Sequence, residues 1–272
     1  MSTLDLAPTA TSEARPTQFE TLTVVTMVLA GLCAVWGLFD HRTVEGGPVS
    51  MKPLKFALSF VVLFGTLALV ERRLSLPVRQ GWAIGALGLI MSAAFLAEMV
   101  YIIVQAAQAE GSHYNRSTPF NDFMYTVAMA AGAVILIAAV GCVGFLVQRD
   151  KAADLSSGLR EGIWLGFLLS FVQTLIIAGY LGGQDGHFVG LHPEGAPTVP
   201  LLGWSGVTGD LRPAHFFALH AMQVLPIVAI MFDRLAPSVT VRAVRVAALA
   251  YAALTFSLFA LALKGYPLIP LA

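Results

Sequence analysis

Apolar residues along the chain gather into seven long runs, with polar or Gly- and Pro-bearing stretches between them. The runs are Thr21–Phe39, Pro53–Val70, Trp82–Ala106, Phe123–Val147, Gly162–Gly182, Pro213–Phe232 and Val241–Leu263. Each approaches the roughly 20 apolar residues that cross about 30 Å of hydrocarbon. Backbone polar groups are satisfied there only in helices or closed barrels, and these runs are too long and continuous for barrel strands. The pattern therefore predicts an all-α integral membrane protein of seven transmembrane helices. Gly46-Gly47-Pro48, Pro77, Ser117-Thr118-Pro119, Gly182-Gly183 and Pro237 punctuate the runs. A polar tail over 1–20, a seven-helix domain over 21–264 and a short tail over 265–272 follow, with no separate soluble domain.

Composition agrees: 57% of residues are hydrophobic, 12% are charged, and the mean hydropathy is +0.77, whereas a soluble domain carries about 25% charge. Lys plus Arg balance Asp plus Glu at sixteen each, and no basic stripe suited to a phosphate backbone is present, so nucleic acid is not an expected partner. The bilayer is. Cys33 and Cys142 lie inside apolar runs without metal or redox spacing and read as packing residues. Charged residues precede the first run, the wrong order for a cleaved signal peptide.

Cationic residues set the expected direction. Arg15, Arg72, Arg73, Arg79, Arg149, Lys151, Arg160, Arg234, Arg242 and Arg245 fall on the side of the N-terminus, against Arg42, Lys52, Lys55, Arg116, Arg212 and Lys264 on the other. Positive loops stay cytoplasmic, which places the N-terminus in the cytoplasm and the C-terminus in the periplasm. The longer loops, 107–122 and 183–212, then face outward, where elaborated loops usually carry function.

Polar side chains at depth are expensive and therefore candidates for function. Glu98, Tyr101 and Gln105 share one face of the third span, Ser170, Gln173 and Tyr180 one face of the fifth, and His220 and Gln223 one face of the sixth, with His215 nearer the loop. All fall in the outer half, as do Lys52 and Lys55 opening the second span, which predicts a cavity beneath the outer loops. Interhelical packing is the competing reading for Tyr101, Tyr180, Ser170 and Gln105. Glu98, two-thirds of the way across, is expected to lie inside the bundle, neutral or paired with Lys55 or a histidine.

The loops add Asp40-His41-Arg42, the stretch from Gly111 to Asp122 with His113, Asn115 and Arg116, and the approach to the sixth span. Asn121 or Asp122 reads as the N-cap of the fourth span, Asp210 as that of the sixth, and Trp204 as an interfacial aromatic. The segments Gly-x-Pro-Val-x-x-Lys-Pro-Leu-Lys-Phe (46–56), Ser-His-Tyr-Asn-x-x-Thr-Pro-Phe (112–120) and Asp-Leu-Arg-x-x-His-Phe-x-x-Leu-His-x-x-Gln (210–223) resemble those of a family of bacterial multi-pass inner-membrane proteins with no established activity. The resemblance implies a location in the bacterial inner membrane and transfers no catalytic residue.

Three function classes fit. All six histidines lie on or near the outer half, which suits a site for haem b or a transition metal. His215 and His220 are about 140° apart on a regular helix and cannot both face one metal, so His220 or His215 would join His41 or His113, with Arg212 and Lys55 for propionates. A haem-dependent oxidoreductase ranks first. A zinc-dependent intramembrane hydrolase would use His220, His215 and His113 as ligands, Glu98 as base and Arg116 for charge. The second class binds or transports a small solute, or senses it as a receptor, through Gln173, Gln223, Tyr101, Gln105 and Glu98. The third is an accessory subunit of a membrane-protein complex, consistent with Gly- and Ala-rich helix faces. His187 and His192, in a Gly- and Pro-rich loop, are expected to be more exposed than His220 and dispensable.

Overall fold

The computed structural model describes residues 16–271. Its frame is seven helices long and apolar enough to span a bilayer: α1 (Gln18–Phe39), α2 (Met51–Glu71), α3 (Trp82–Ala107), α4 (Pro119–Arg149), α5 (Ser157–Gly182), α6 (Leu211–Leu235) and α7 (Thr240–Leu263). Most of the tail expected over 1–20, including Arg15, lies outside the described residues. Its last residues, Gln18 to Glu20, are already helical.

Most helices start earlier than hydropathy predicts, and capping explains why. Thr17 and Glu20 form a reciprocal box: Glu20 N–H donates to Thr17 Oγ1 at 3.3 Å, and Thr17 N–H to the Glu20 carboxylate at 2.8 Å. Ser156 caps α5 by accepting from Leu159 N–H at 2.9 Å. The cap of α4 is Thr118, which accepts from Asn121 N–H at 3.1 Å with Pro119 in the first turn. It is neither Asn121 nor Asp122. Asp210 caps α6, accepting from Arg212 N–H at 3.0 Å. Caps are polar, so a hydropathy window misses the turn that they begin. Within α4, Met124–Met129 is π-helical, which shifts the register between the first turn and the rest.

Consecutive helices pack on one another, and α5 also meets α7. The tightest pair is α5 with α6. A Cβ on Gly162 would lie 2.9 Å from the Leu225 carbonyl oxygen, and one on Gly166 would lie 2.7 Å from that of Ala221; only glycine permits this approach. Across α1–α3 the core is aromatic: Phe60 and Phe64 set their rings 4.8 and 5.6 Å from that of Phe95, edge to face.

The two ends of the bundle are built differently. At the end holding the start of α1, short turns are tied by side chains: Asp150 accepts from Ser75 N–H at 2.8 Å, and Arg245 pairs with Glu161 at 2.7 Å. At the other end, the loop face, the chain folds on itself. Thr43–Val44 pairs with Gly47–Pro48, Phe188–Val189 pairs with Gly209–Asp210, and Leu271 N–H bonds the Gly206 carbonyl at 2.9 Å. Trp204 is buried there against Phe216, with ring centroids 5.6 Å apart, and is not an interfacial anchor. Cys33 is buried, while Cys142 lies on an exposed surface of α4.

Candidate functional site

The loop face gathers the first turns of α2, α4 and α6 under residues 108–118 and 183–210. Tyr114, at φ 58°, takes a left-handed turn that few non-glycine residues adopt. This turn directs its ring to 5.1 Å from Tyr125 and 6.3 Å from His187. His113, beside it, packs on Phe56 of α2 at 5.3 Å and on Tyr125 of α4 at 5.9 Å, with Nδ1 3.1 Å from Ser112 Oγ. His187 and His192 flank Phe188, at 4.2 and 3.9 Å, and the Arg212 guanidinium lies over the same ring. Both loop histidines are thus half-buried, as His220 is, rather than more exposed than it, because Phe188 sequesters their rings.

Burial governs the charge of these groups. It pushes the His113 imidazole down to about 3, with nearby Lys52 and His215 adding repulsion. His187 is pushed down to about 4, first by burial and then by Arg212. Burial also raises the Tyr114 hydroxyl above its ordinary value. Both histidines are neutral at physiological pH and able to donate through one nitrogen and accept through the other. Over His113 opens a shallow cavity of about 330 Å³, lined by Glu45, Glu110, Gly111, His113, Tyr114, Asn115 and Ser117.

The deeper polar residues do not line one shared cavity, and this corrects the expectation of four helices converging on it. Tyr101 and Gln105 both donate to Asn121 Oδ1, at 3.3 and 2.7 Å, joining α3 to α4. Gln173 reaches the Ala252 carbonyl of α7 at 3.5 Å. Ser170 donates to the Leu219 carbonyl at 2.8 Å and accepts from Met222 N–H at 3.0 Å. Gln223 donates to Thr66 of α2 at 3.0 Å. Glu98 is 7% exposed, inside the bundle as expected, against Gly132 of α4. Its Oε1 has no partner, and among the described residues it forms no ion pair with Lys55 or a histidine. Residues on one face of a helix can each meet a different neighbour, since spacing does not fix how neighbouring helices are rotated.

The remaining candidates scatter. Arg116 is exposed and 3.5 Å from Asp122. His41 is exposed on the turn after α1. Arg212 is held by Asp210 at 2.6 Å and donates to the Gly203 carbonyl at 2.6 Å, so it fastens the 183–210 loop to α6 and is not free for a propionate. His220 Nδ1 bonds the Phe216 carbonyl of its own helix at 2.7 Å, and its ring stacks on Phe216 at 4.0 Å. It therefore does not reach Glu98, Gln173 or His113 as expected. Among the described residues no three His, Cys, Asp or Glu side chains are placed to hold a metal ion, so His113, His215 and His220 do not assemble as a zinc site. His113 lies within electrostatic range of His215 on α6, whose Nδ1 is buried without a partner. Tyr114, Tyr125 and Phe56 complete the cluster. Their aromatic and loop positions carry no sequence signal beyond proximity to His113 in the Ser-His-Tyr-Asn motif.

The protein is a multi-pass helical membrane protein in contact with the lipid bilayer. No protein-family model, curated protein or solved structure matches the chain.

Proposed function

We propose that the protein binds a small polar solute in the cavity above His113, in the inner membrane of a bacterium, with the N-terminus cytoplasmic and the loop face periplasmic. The observation that carries this reading is the 330 Å³ depression, lined by the Glu45 and Glu110 carboxylates and by the half-buried, neutral His113. It is an open depression of about 330 Å³, which would hold a small molecule by polar contacts at its rim. Carboxylates, Asn115 and Ser117 offer mainly acceptors, so the solute is a hydrogen-bond donor. Solute binding gains over the oxidoreductase reading because Arg212 is already committed to Asp210 and Gly203.

The test is mass spectrometry of small molecules released from detergent-purified protein, together with an absorption spectrum and metal analysis. A released solute that is lost from Glu110→Gln supports the reading, and identical extracts from both proteins oppose it. Haem-dependent redox chemistry is kept as the second reading on the strength of the His113–His215 pair. A Soret band lost from His215→Ala but kept in His187→Ala would put it first. Orientation is tested in a variant lacking Cys33 and Cys142: cysteine at Glu194, an exposed loop position, should react with an impermeant reagent on intact cells, and cysteine at Ala152 should not. Reversed labelling would place the cavity in the cytoplasm.

A further inference from the structure

Glu98 sits about two-thirds of the way along α3, buried, with Oε1 unpartnered and, among the described residues, with no ion pair. Helix α4 makes room for it: a Cβ on Gly132 would lie 2.6 Å from that oxygen, so the carboxyl occupies a niche that glycine leaves. Helices α1, α2 and α4 pack on α3, and among the described residues no charged or titratable side chain from any of them lies within electrostatic range of Glu98. A carboxylate without a counter-charge at this depth is costly.

From the next turn of α3 outward, polar groups connect to the loop face. The Tyr101 hydroxyl donates to Asn121 Oδ1 at 3.3 Å, and Asn121 Nδ2 donates to Ser117 Oγ at 3.1 Å, which in turn donates to Asn115 Oδ1 at 2.7 Å. Asn115 and Ser117 line the loop-face depression, so the file opens to solvent. In the other direction Phe95, one turn further in, packs edge to face on Phe60 and Phe64 and closes the route. Access is one-sided. Between its contacts with the file at Asn121 and with Glu98 at Gly132, α4 is π-helical over Met124–Met129, a distortion that recurs at functional sites. Hydrogens are short along this face: Tyr101 has spent its own on Asn121, and Gln105 Oε1 and Glu98 Oε1 are buried acceptors without a partner. A proton on Glu98 turns one of these acceptors into a donor, and water admitted from the loop face supplies the other hydrogens.

We propose that Glu98 is a proton-binding site inside the bundle, loaded from and emptied to the loop face along the file of Tyr101, Asn121 and Ser117. Loading forms one O–H bond on the carboxylate with a proton taken from water at the loop face; emptying returns that proton, and no other bond changes. Intramembrane carboxyls of this kind mark proton relays in membrane proteins. The inference stands whether or not the depression holds a solute, because its test reads Glu98 with no solute added.

Infrared difference spectra of the full chain in nanodiscs of zwitterionic phospholipid, taken between pH 5 and pH 9, read the carbonyl stretch of a protonated carboxyl directly. A band should grow toward acid, shift in heavy water, vanish in Glu98→Gln and move in Glu98→Asp. It should persist in Glu71→Gln, which removes another buried carboxyl. After rapid mixing into heavy water, the shift of that band should slow at least about fivefold in Asn121→Leu and in Tyr101→Phe, the factor expected for loss of one net hydrogen bond. Gln173→Leu, at the contact of α5 with α7, should leave the rate unchanged. Unfolding midpoints check that each variant is folded. The proposal is overturned if no protonated band depends on Glu98, if the band neither titrates nor exchanges, or if both file variants exchange as fast as the parent.

Discussion

Helix α6 meets α5 and α2 in opposite ways. Toward α5 it presents Ala221, Leu225 and Ala229 to Gly162 and Gly166, and Ser170 bonds its backbone twice. Toward α2 it presents Gln223, and among the described residues a single side-chain hydrogen bond, to Thr66, joins the two helices. Apolar burial cannot drive helices together in lipid, whose tails are as apolar as leucine, so association depends on close packing and on polar bonds. The α5 side has both. The α2 side has a polar bond without a glycine seam of that kind.

The largest effect that tests this contrast is overpacking of the tight side. Gly166→Val should lower the unfolding free energy in detergent by about 3 kcal/mol, since the new side chain meets the Ala221 carbonyl, a backbone atom that cannot step aside. A loss no greater than that of a surface substitution would mean that the seam is loose.

Acid should act on the other region. His113 packs on α2 and lies within range of His215 on α6, and its folded-state value of about 3 is below the ordinary 6.5. Between these values the unfolded chain binds more protons, so stability falls as pH falls from 6.5 toward 3. At pH 5 the loss from this group is about 2 kcal/mol. Unfolding curves at pH 7 and pH 5 should show the loss in the parent protein and a smaller one in His113→Gln.

Ser170→Ala should cost about 1 kcal/mol, within the range of interhelical hydrogen bonds in membranes. The smallest change is expected for Gln223→Leu, within about 0.5 kcal/mol, because removing the amide also removes its unpartnered Oε1. Were Gln223→Leu as damaging as Ser170→Ala, the α2 side would be a packing seam and the contrast would collapse.

The frame of the molecule is legible in the sequence because seven apolar runs admit few solutions in a bilayer. Asp210 was readable as a cap, since the first turn of a helix leaves N–H groups that a short acidic side chain can take. Thr17 was equally readable in its Thr-x-x-Glu spacing, although hydropathy placed the helix start at Thr21. The candidate site was only partly legible. His113 stands out in its motif, but nothing along the chain separates it from His41, which is exposed, or ties it to Tyr125 and Phe56.

Sequence alone determined how many helices there are, their approximate ends and which polar residues share a face, because these follow from backbone hydrogen bonding in lipid and a fixed 3.6-residue turn. Tertiary structure decided what each face meets. Tyr101 and Gln105 met Asn121, Gln173 met α7, and His220 bonded the Phe216 carbonyl of its own helix. Those outcomes depend on how helices rotate and approach one another, and that is set by the combined fit of glycines, bulky side chains and loops from distant parts of the chain.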